Sequence, residues 1–332
     1  MNVADLAAAL RERLGSRVKL FEPLLRHTSY RIGGPADVFV SVRTTRELED
    51  CVEAAFQARL PWHVIGTASN LLVADAGIEG IVIKMMARGV RFRNGTTPEE
   101  MLVVAEAGCV LGALARKAAS SGFAGLEWAG TVPGTVGAAI VNNSGAFGSC
   151  TADCLVDARL YFPGSGAQTV SPADLDYGYR TSRLKAGGWR AAVVEATLRT
   201  KVGDAARLMA TLSDMESRRR ATQPLGSSVG SIFRNPPDGF AGDLIEQAGL
   251  KGRRAGGAEI STLHANFILN RGGASARDVL DLARTTQQVV WERSGIWLVP
   301  EIQTLGRWAA DDLSSLEAPP TSSVTGAGQV AS

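Results

Sequence analysis

Between Ala129 and Gly148 the chain reads AGTVPGTVGAAIVNNSGAFG, with five glycines and a proline among mostly small residues. Glycine and proline at that density disfavour both helix and strand, so the stretch is expected largely as loop. Its hydroxyls, short side chains and closely spaced backbone N–H groups suit the close approach of a pyrophosphate. A second segment of the same character, Gly66-Thr67-Ala68-Ser69-Asn70-Leu71-Leu72, directly follows a strand-like run. Neither carries the GxGxxG-plus-acid fingerprint of the common dinucleotide-binding βαβ unit, and no GxxxxGK(S/T) loop occurs. Either loop alone is equally well an ordinary turn. The two together favour a dinucleotide held in a different fold.

A chain of 332 residues, 45% of them hydrophobic, can bury a sizeable core in two or three domains. The formal net charge of +2 gives no global attraction to nucleic acid, and Arg218-Arg219-Arg220 reads as a solvated helix end. No apolar run approaches the ~20 residues of a membrane span. The opening residues place Val3, Leu6, Leu10 and Leu14 on one helical face without the basic-then-apolar order of a secretion signal, so the expected location is cytoplasmic. Cys51, Cys109, Cys150 and Cys154 are too scattered for a disulfide scaffold. Cys150 and Cys154 are half a zinc site at most, so no metal is expected.

Along the chain the pattern changes twice. The first third is a small α/β unit: a strand at 38–42, a helix from Thr45 to Leu60 with Leu48, Val52, Ala55 and Phe56 on one face, then strands at 62–66 and 80–84. The middle is strand-dominated, with runs at 90–93, 101–106, 154–162 and 190–199 and one helix over 110–121. From about Val202, helices are expected at 204–220, 242–249 and 275–293, the last opened by Ser275 with Asp278 three residues on. A final strand surrounds 297–305. Beyond Ala309 the chain is rich in Ala, Ser, Pro, Thr and Gly. The expected division of this α+β chain is 1–86, 87–202, 203–300, a return strand at 301–308 and a disordered tail at 309–332.

Three polar residues lie in apolar surroundings. Arg180 sits beside two tyrosines in Tyr177-Gly178-Tyr179-Arg180-Thr181-Ser182, and Ser231 lies between a glycine and two large hydrophobes. Glu301 follows a proline inside a run that otherwise reads as a buried strand. Singly, each has an ordinary alternative: a salt-bridge arginine, a turn hydroxyl, an outward-facing strand residue.

Taken in order, these segments resemble one family closely. They are SYRIGGPAD (29–37), GTASNLLV (66–73), GLEWAGTVPGTVGAAIVNNSGAFG (125–148), YRTS (179–182), GSIFRNP (230–236), AGDLIEQAGLKG (241–252), GGAEIS with HANFILN (256–270) and PEI (300–302). The family is the UDP-N-acetylenolpyruvoylglucosamine reductases, and the resemblance spans roughly 28–306. It implies a vanillyl-alcohol-oxidase/PCMH-type two-part FAD-binding fold plus a smaller C-terminal α/β substrate domain. Residues 1–86 and 87–202 would be the FAD-binding subdomains, and 203–300 the substrate-binding domain. It also implies non-covalent FAD, NADPH as co-substrate and a nucleotide-sugar substrate; a monomer is expected. By this resemblance Gly66, Thr67, Ser69, Asn70 and Leu71 contact FAD. So do Gly130, Thr131, Pro133, Gly134, Thr135, Val136 and Gly137, joined by Asn143, Gly145 and Ala146. Ser231, Arg180 and Glu301 fall on the catalytic positions, and Tyr179, Asn235, Lys251 and His264 on substrate contacts.

The implied reaction delivers hydride from flavin N5 to the enolpyruvyl methylene carbon of UDP-N-acetylglucosamine enolpyruvate, giving UDP-N-acetylmuramate for peptidoglycan synthesis. The resulting enolate-like charge calls for a cation, Arg180, and a proton donor, Ser231. Glu301 fits if it is protonated when the charge develops. This sequence departs from the family at Ala68, where glycine is usual, at Val229, at Asn142-Asn143-Ser144 and at Phe147, where tyrosine is commoner. The short stretch from Pro236 to Leu244 leaves no room for a substrate-closing loop, which marks the shorter subtype. The competing readings are a sugar or alcohol oxidase of the same FAD-fold superfamily and an inactive nucleotide-sugar-binding protein.

Overall fold

The computed structural model of the chain describes residues 2–317. Up to Val202 it holds two large sheets. The first has strands Val18–Pro23, Pro35–Val42, Ile78–Met85 and Trp62–Ile65 side by side, the first pair antiparallel and the rest parallel. Helices Val3–Leu14 and Thr45–Gln57 cover it. Asn2 and Asp5 form a capping box for the first helix, which buries Leu6 and Leu10. The second helix starts at Thr44, whose hydroxyl accepts from Glu47 N at 3.1 Å. It stops short of the expected Leu60, because Arg59 takes a left-handed φ of 57° and turns the chain. Phe56, expected inside, is exposed.

The second sheet is antiparallel. Ala192–Val202 lies at its centre between Leu155–Phe162 and Glu100–Glu106, with Gly166–Val170 and Val90–Asn94 outside them. Helix Leu111–Ser120 buries the stripe Leu111, Leu114, Ala115 and Ala118. One core runs through both sheets, joining Leu6, Val40 and Ile83 to Val103, Ile140 and Ala196, and a smaller one on the first sheet holds Leu24, Phe39, Ile65 and Val82. The helix Ala205–Thr222 contributes Leu212 to the larger core.

The remainder wraps helices Ala241–Gln247 and Ala276–Ser294 around the small antiparallel sheet Arg254–Ala255, Ala258–Ile260 and Ile268–Asn270. Its core includes Tyr30, Ile32 and Leu72 from the first third of the chain. Tyr30 is fully buried and donates its hydroxyl to the Ile268 carbonyl at 2.9 Å. Asp75 accepts from the amides of Ala276 and Arg277, at 2.8 and 3.1 Å, at the start of the long helix. Among the described residues, no helix is long and apolar enough to cross a membrane.

Two expectations are corrected. The strand expected over 297–305 reduces to Gln303–Leu305, which pairs in parallel with Leu71–Val73. Pro300 has no N–H, so ahead of it the chain makes only an isolated bridge between Phe233 and Pro300. The disordered tail expected over 309–332 is overturned at its start, where Ala310–Glu317 is helical. Asp312 pairs with Arg277 at 2.5 Å, Gln287 donates to the Leu316 carbonyl at 2.9 Å, and Leu316 is buried in the C-terminal core. The rest of that expectation lies outside the described residues.

Candidate active site

The two glycine-rich segments meet face to face. A Cβ on Gly66 would lie 2.3 Å from Thr135 Oγ1, so only glycine permits this contact. Ser69 Oγ lies 3.4 Å from where a Cβ of Gly134 would project, and Gly134 holds a φ of 130°. The second segment is not loop throughout: a 3₁₀ turn at Glu127–Thr131 leads into a helix, Val136–Asn142, ended by left-handed Asn143. Proline and glycine break the chain only at 133–134, and the small residues beyond them are helix-compatible. The amides of Val136 and Gly137 donate to the Cys109 and Ala107 carbonyls at 2.9 Å each, so they anchor the helix. Asn143 Nδ2 donates to the Gly178 carbonyl at 3.0 Å, tying this helix to the Arg180 loop.

Between and around the two segments lies a cavity of about 1160 Å³. Gly66, Thr67, Ser69, Asn70 and Leu71 line it, as do Pro133, Thr135, Gly137, Gly145 and Ala146. Its volume exceeds the roughly 300–1,000 Å³ of a typical small-ligand pocket, which suits a dinucleotide with a second ligand beside it. An adjoining cavity of about 380 Å³ is lined by Gly130, Thr131 and Pro133. Gly134, Val136 and Asn143 are not on either wall; they hold the segment in place.

Arg180, Ser231 and Glu301, remote in sequence, share the wall of the larger cavity. Main-chain bonds bring the last two together: Glu301 N donates to the Ile232 carbonyl at 2.8 Å, and Arg234 N to the Val299 carbonyl at 2.9 Å. Asn266 fixes the Ser231 loop, its side chain accepting from Phe233 N at 2.9 Å and donating to Phe233 O at 2.8 Å. Asn70 Nδ2 donates to the Glu301 main-chain carbonyl at 3.2 Å, so the first glycine segment itself holds the backbone that carries the carboxylate. Arg180 has a left-handed φ of 58° and donates from Nη2 to the Gly145 carbonyl at 2.8 Å. Its Nε lies 3.1 Å from Glu301 Oε1, an ion pair whose angle is too poor for a hydrogen bond. Burial raises the Glu301 carboxyl above its ordinary value, against the opposing pull of Arg180, Lys185 and Arg234.

The expected substrate contacts lie apart. Tyr179 is exposed, with the Arg180 guanidinium 5.6 Å from its ring centre. Asn235, Lys251 and His264 gather around helix Ala241–Gln247. Asn235 Oδ1 accepts from Ala241 N at 3.1 Å, Lys251 pairs with Glu246 at 2.6 Å, and His264 packs on Phe267 at 5.0 Å. Burial holds the His264 imidazole below its ordinary value.

Among the cavity residues that the sequence reading did not single out are two cations, Arg219 and Lys185. Arg219, the least exposed of the arginine triplet, lines both cavities, while the exposed Arg218 and Arg220 each reach only one of them. The available signal was its spacing of seven from the buried Leu212, which puts both on one helical face. Lys185 lines the larger cavity with its Nζ buried.

The cavity has the unsatisfied polar groups expected of a cofactor site. Thr67 Oγ1, Asn142 Oδ1, Arg180 Nε and Lys185 Nζ are buried with no hydrogen-bond partner among the described residues. Residues 36–170 match the FAD binding domain model, and residues 222–305 match that of the UDP-N-acetylenolpyruvoylglucosamine reductase C-terminal domain. A UDP-N-acetylenolpyruvoylglucosamine reductase 2 of Symbiobacterium thermophilum is 41% identical over 292 residues, 87% of this chain and 92% of that one. The chain belongs to the UDP-N-acetylenolpyruvoylglucosamine reductase family. Its Nostoc punctiforme counterpart is 46% identical over 283 residues, 85% of this chain and 84% of its own. The crystal structure of the Thermus caldophilus reductase superposes with a TM-score of 0.72 at 32% identity, covering 87% of this chain and 99% of that one. The fold is accordingly the vanillyl-alcohol-oxidase/PCMH-type two-part FAD-binding fold with a smaller C-terminal α/β domain. This member of the reductase family is an oxidoreductase of peptidoglycan precursor synthesis, with FAD as cofactor and NADPH as co-substrate.

Proposed function

We propose that this chain reduces UDP-N-acetylglucosamine enolpyruvate to UDP-N-acetylmuramate, with Ser231, Arg180 and Glu301 as its catalytic residues. Bound FAD, held non-covalently, supplies the hydride chemistry. Ser231 Oγ gives a proton to the carbon next to the carboxylate. Arg180 neutralises the negative charge that develops there, and a protonated Glu301 donates a hydrogen bond to it. Loss of a positioned acid typically costs ~10²–10⁴ in rate, and loss of an electrostatic stabiliser about 10²–10³.

The observation that carries this reading is the convergence of the three residues on the cavity that both glycine segments line. The raised carboxyl of Glu301 supports its role as a donor, because an ionised neighbour would repel the developing charge. Thr67, Ser69, Asn70, Pro133, Thr135, Gly145 and Ala146, already on that wall, would hold FAD, with Arg219 facing its diphosphate. Asn235, Lys251 and His264 would meet the nucleotide end of the substrate. Pro236 to Phe240 is a short link into helix Ala241–Gln247, in keeping with the subtype without a substrate-closing loop. We assign residues 1–86 and 87–202 to FAD and 203–300 to substrate. A monomer in the cytoplasm completes the reading, with all four cysteines as free thiols.

An anaerobic titration tests it. NADPH should bleach the flavin absorbance, and the enolpyruvyl sugar should restore it. Ser231→Ala should bleach normally and recover slowly; normal recovery would remove Ser231 from the reaction. Recovery of the wild-type protein with oxygen alone would favour a sugar or alcohol oxidase instead.

A further inference from the structure

Lys185 comes from the same turn as Arg180, and the turn is rigidly held. Ser182, 1% exposed, donates its hydroxyl to the Val141 carbonyl at 2.6 Å and accepts from Lys185 N at 3.2 Å. Ala186 N donates to the Ser182 carbonyl at 2.9 Å, closing a helical turn. With Arg180 Nη2 fixed on Gly145, both side chains start from one fixed base against helix Val136–Asn142.

Lys185 Nζ is buried and has no hydrogen-bond partner among the described residues. An unpartnered buried ammonium is costly, and proteins keep such groups mainly where a ligand completes them. The charged groups facing it are Arg180 on its own turn, Arg234 after the Ser231 loop, and Glu301 on the segment leading into the last strand. Arg219 reaches Arg180 from helix Ala205–Thr222. Three cations therefore face one carboxyl group, which burial itself pushes towards its neutral form. The local excess of positive charge calls for an anion from outside the chain.

We propose that the Lys185 ammonium binds the enolpyruvyl carboxylate of the substrate together with Arg180, as a second cation for the charge that builds there during reduction. Arg180 offers a planar fork fixed at one end, whereas lysine offers a compact charge on a four-carbon stem that a rotamer change swings into the cavity. The proposal rests on the reading of the reaction given above. Burial, Arg234 and Arg180 push the Lys185 ammonium down to about 8, with Glu301 opposing them. The group is charged at pH 7 and largely neutral by pH 9, so the carboxylate loses one partner as pH rises.

Equilibrium binding to the oxidised holoenzyme tests this, with UDP-N-acetylglucosamine enolpyruvate and, as the probe lacking the carboxylate, UDP-N-acetylglucosamine. Lys185→Met should weaken the enolpyruvyl ligand at least ~30-fold and leave the parent sugar unchanged. The wild-type preference for the enolpyruvyl ligand should shrink between pH 7 and pH 9. Lys185→Arg, charged throughout, should keep its preference constant over that range. Equal weakening of both ligands, or of neither, overturns the proposal, as does a wild-type preference that is flat with pH. If wild-type holoenzyme does not distinguish the two ligands at all, the reading of the reaction fails first, because no carboxylate is recognised.

Discussion

Arg180 Nε and Glu301 Oε1 lie 3.1 Å apart, yet burial keeps the Glu301 carboxyl above its ordinary value. The pair is therefore poised: a substrate carboxylate competes for the arginine, and displacement from it leaves Glu301 in an apolar setting that favours its proton. Glu301→Gln, a permanent hydrogen-bond donor of similar shape, should retain turnover within about tenfold, while Glu301→Ala should lose about 10²–10³. The protonated form is depleted as pH rises through the raised carboxyl value, so substrate reduction should decline on that side. Glu301→Gln should flatten this limb. Steady-state kcat as a function of pH measures both, and equal collapse of the two variants would count against hydrogen-bond donation.

The contact between Gly66 and Thr135 makes the two halves of the cofactor cavity depend on one missing side chain. Gly66→Ala places a methyl 2.3 Å from Thr135 Oγ1, and Thr135 is buried with little room to retreat. The variant should lose about 1–3 kcal/mol of stability and purify with less bound FAD. The ratio of flavin to protein absorbance, with the urea midpoint, reports the two effects. A fully loaded, equally stable variant would show that the loops do not need this contact.

Ala68 occupies a left-handed backbone with φ of 50°. Its methyl strains that conformation by about 1–2 kcal/mol. Against this, Ala68→Gly forfeits about 0.8 kcal/mol of burial and about 0.4–1 kcal/mol of unfolded-chain entropy. The opposing terms nearly cancel, so the substitution should be neutral within about 0.5 kcal/mol. Ala118→Gly, equally buried but in the helix Leu111–Ser120, has no strain to relieve and should cost about 2 kcal/mol. Parallel urea denaturation of the two variants makes the comparison.

Asp75 caps a helix that begins about two hundred residues later in the chain, through the amides of Ala276 and Arg277. Ser275 and Asp278 also cap this helix locally, and Asp75 is exposed, so its loss is cushioned. Asp75→Ala should cost about 1 kcal/mol, and Asp75→Asn should recover part of it. Thermal denaturation at matched FAD content checks the order of the three proteins.

The sequence made the chemistry more legible than the packing around it. Ser231, Arg180 and Glu301 stood out as polar residues in apolar runs, and all three reach the cavity. Both glycine segments were visible as well, since the backbone approach they allow depends on local composition. What stayed hidden was set by distant partners. Lys185 has no periodicity to mark it; its burial follows from Ser182 fastening the turn to Val141. Arg219 was masked by two exposed neighbours of the same type. Pro300 shortened a convincing strand, and Arg277, Gln287 and the C-terminal core drew Ala310–Glu317 into a helix that composition alone did not announce.

The parallel pairing of Gln303–Leu305 with Leu71–Val73 also bears on the order of assembly during synthesis. Asn70 and the Glu301 carbonyl it holds are 231 residues apart in sequence. The N-terminal sheets can collapse around their own core while translation continues, but one wall of the cavity is closed only by a segment made about a hundred residues after them. A nascent or prematurely ended chain can therefore look largely folded and still have no carboxyl group beside Ser231. Catalytic competence arrives late and in one step, when the returning strand finds its partner.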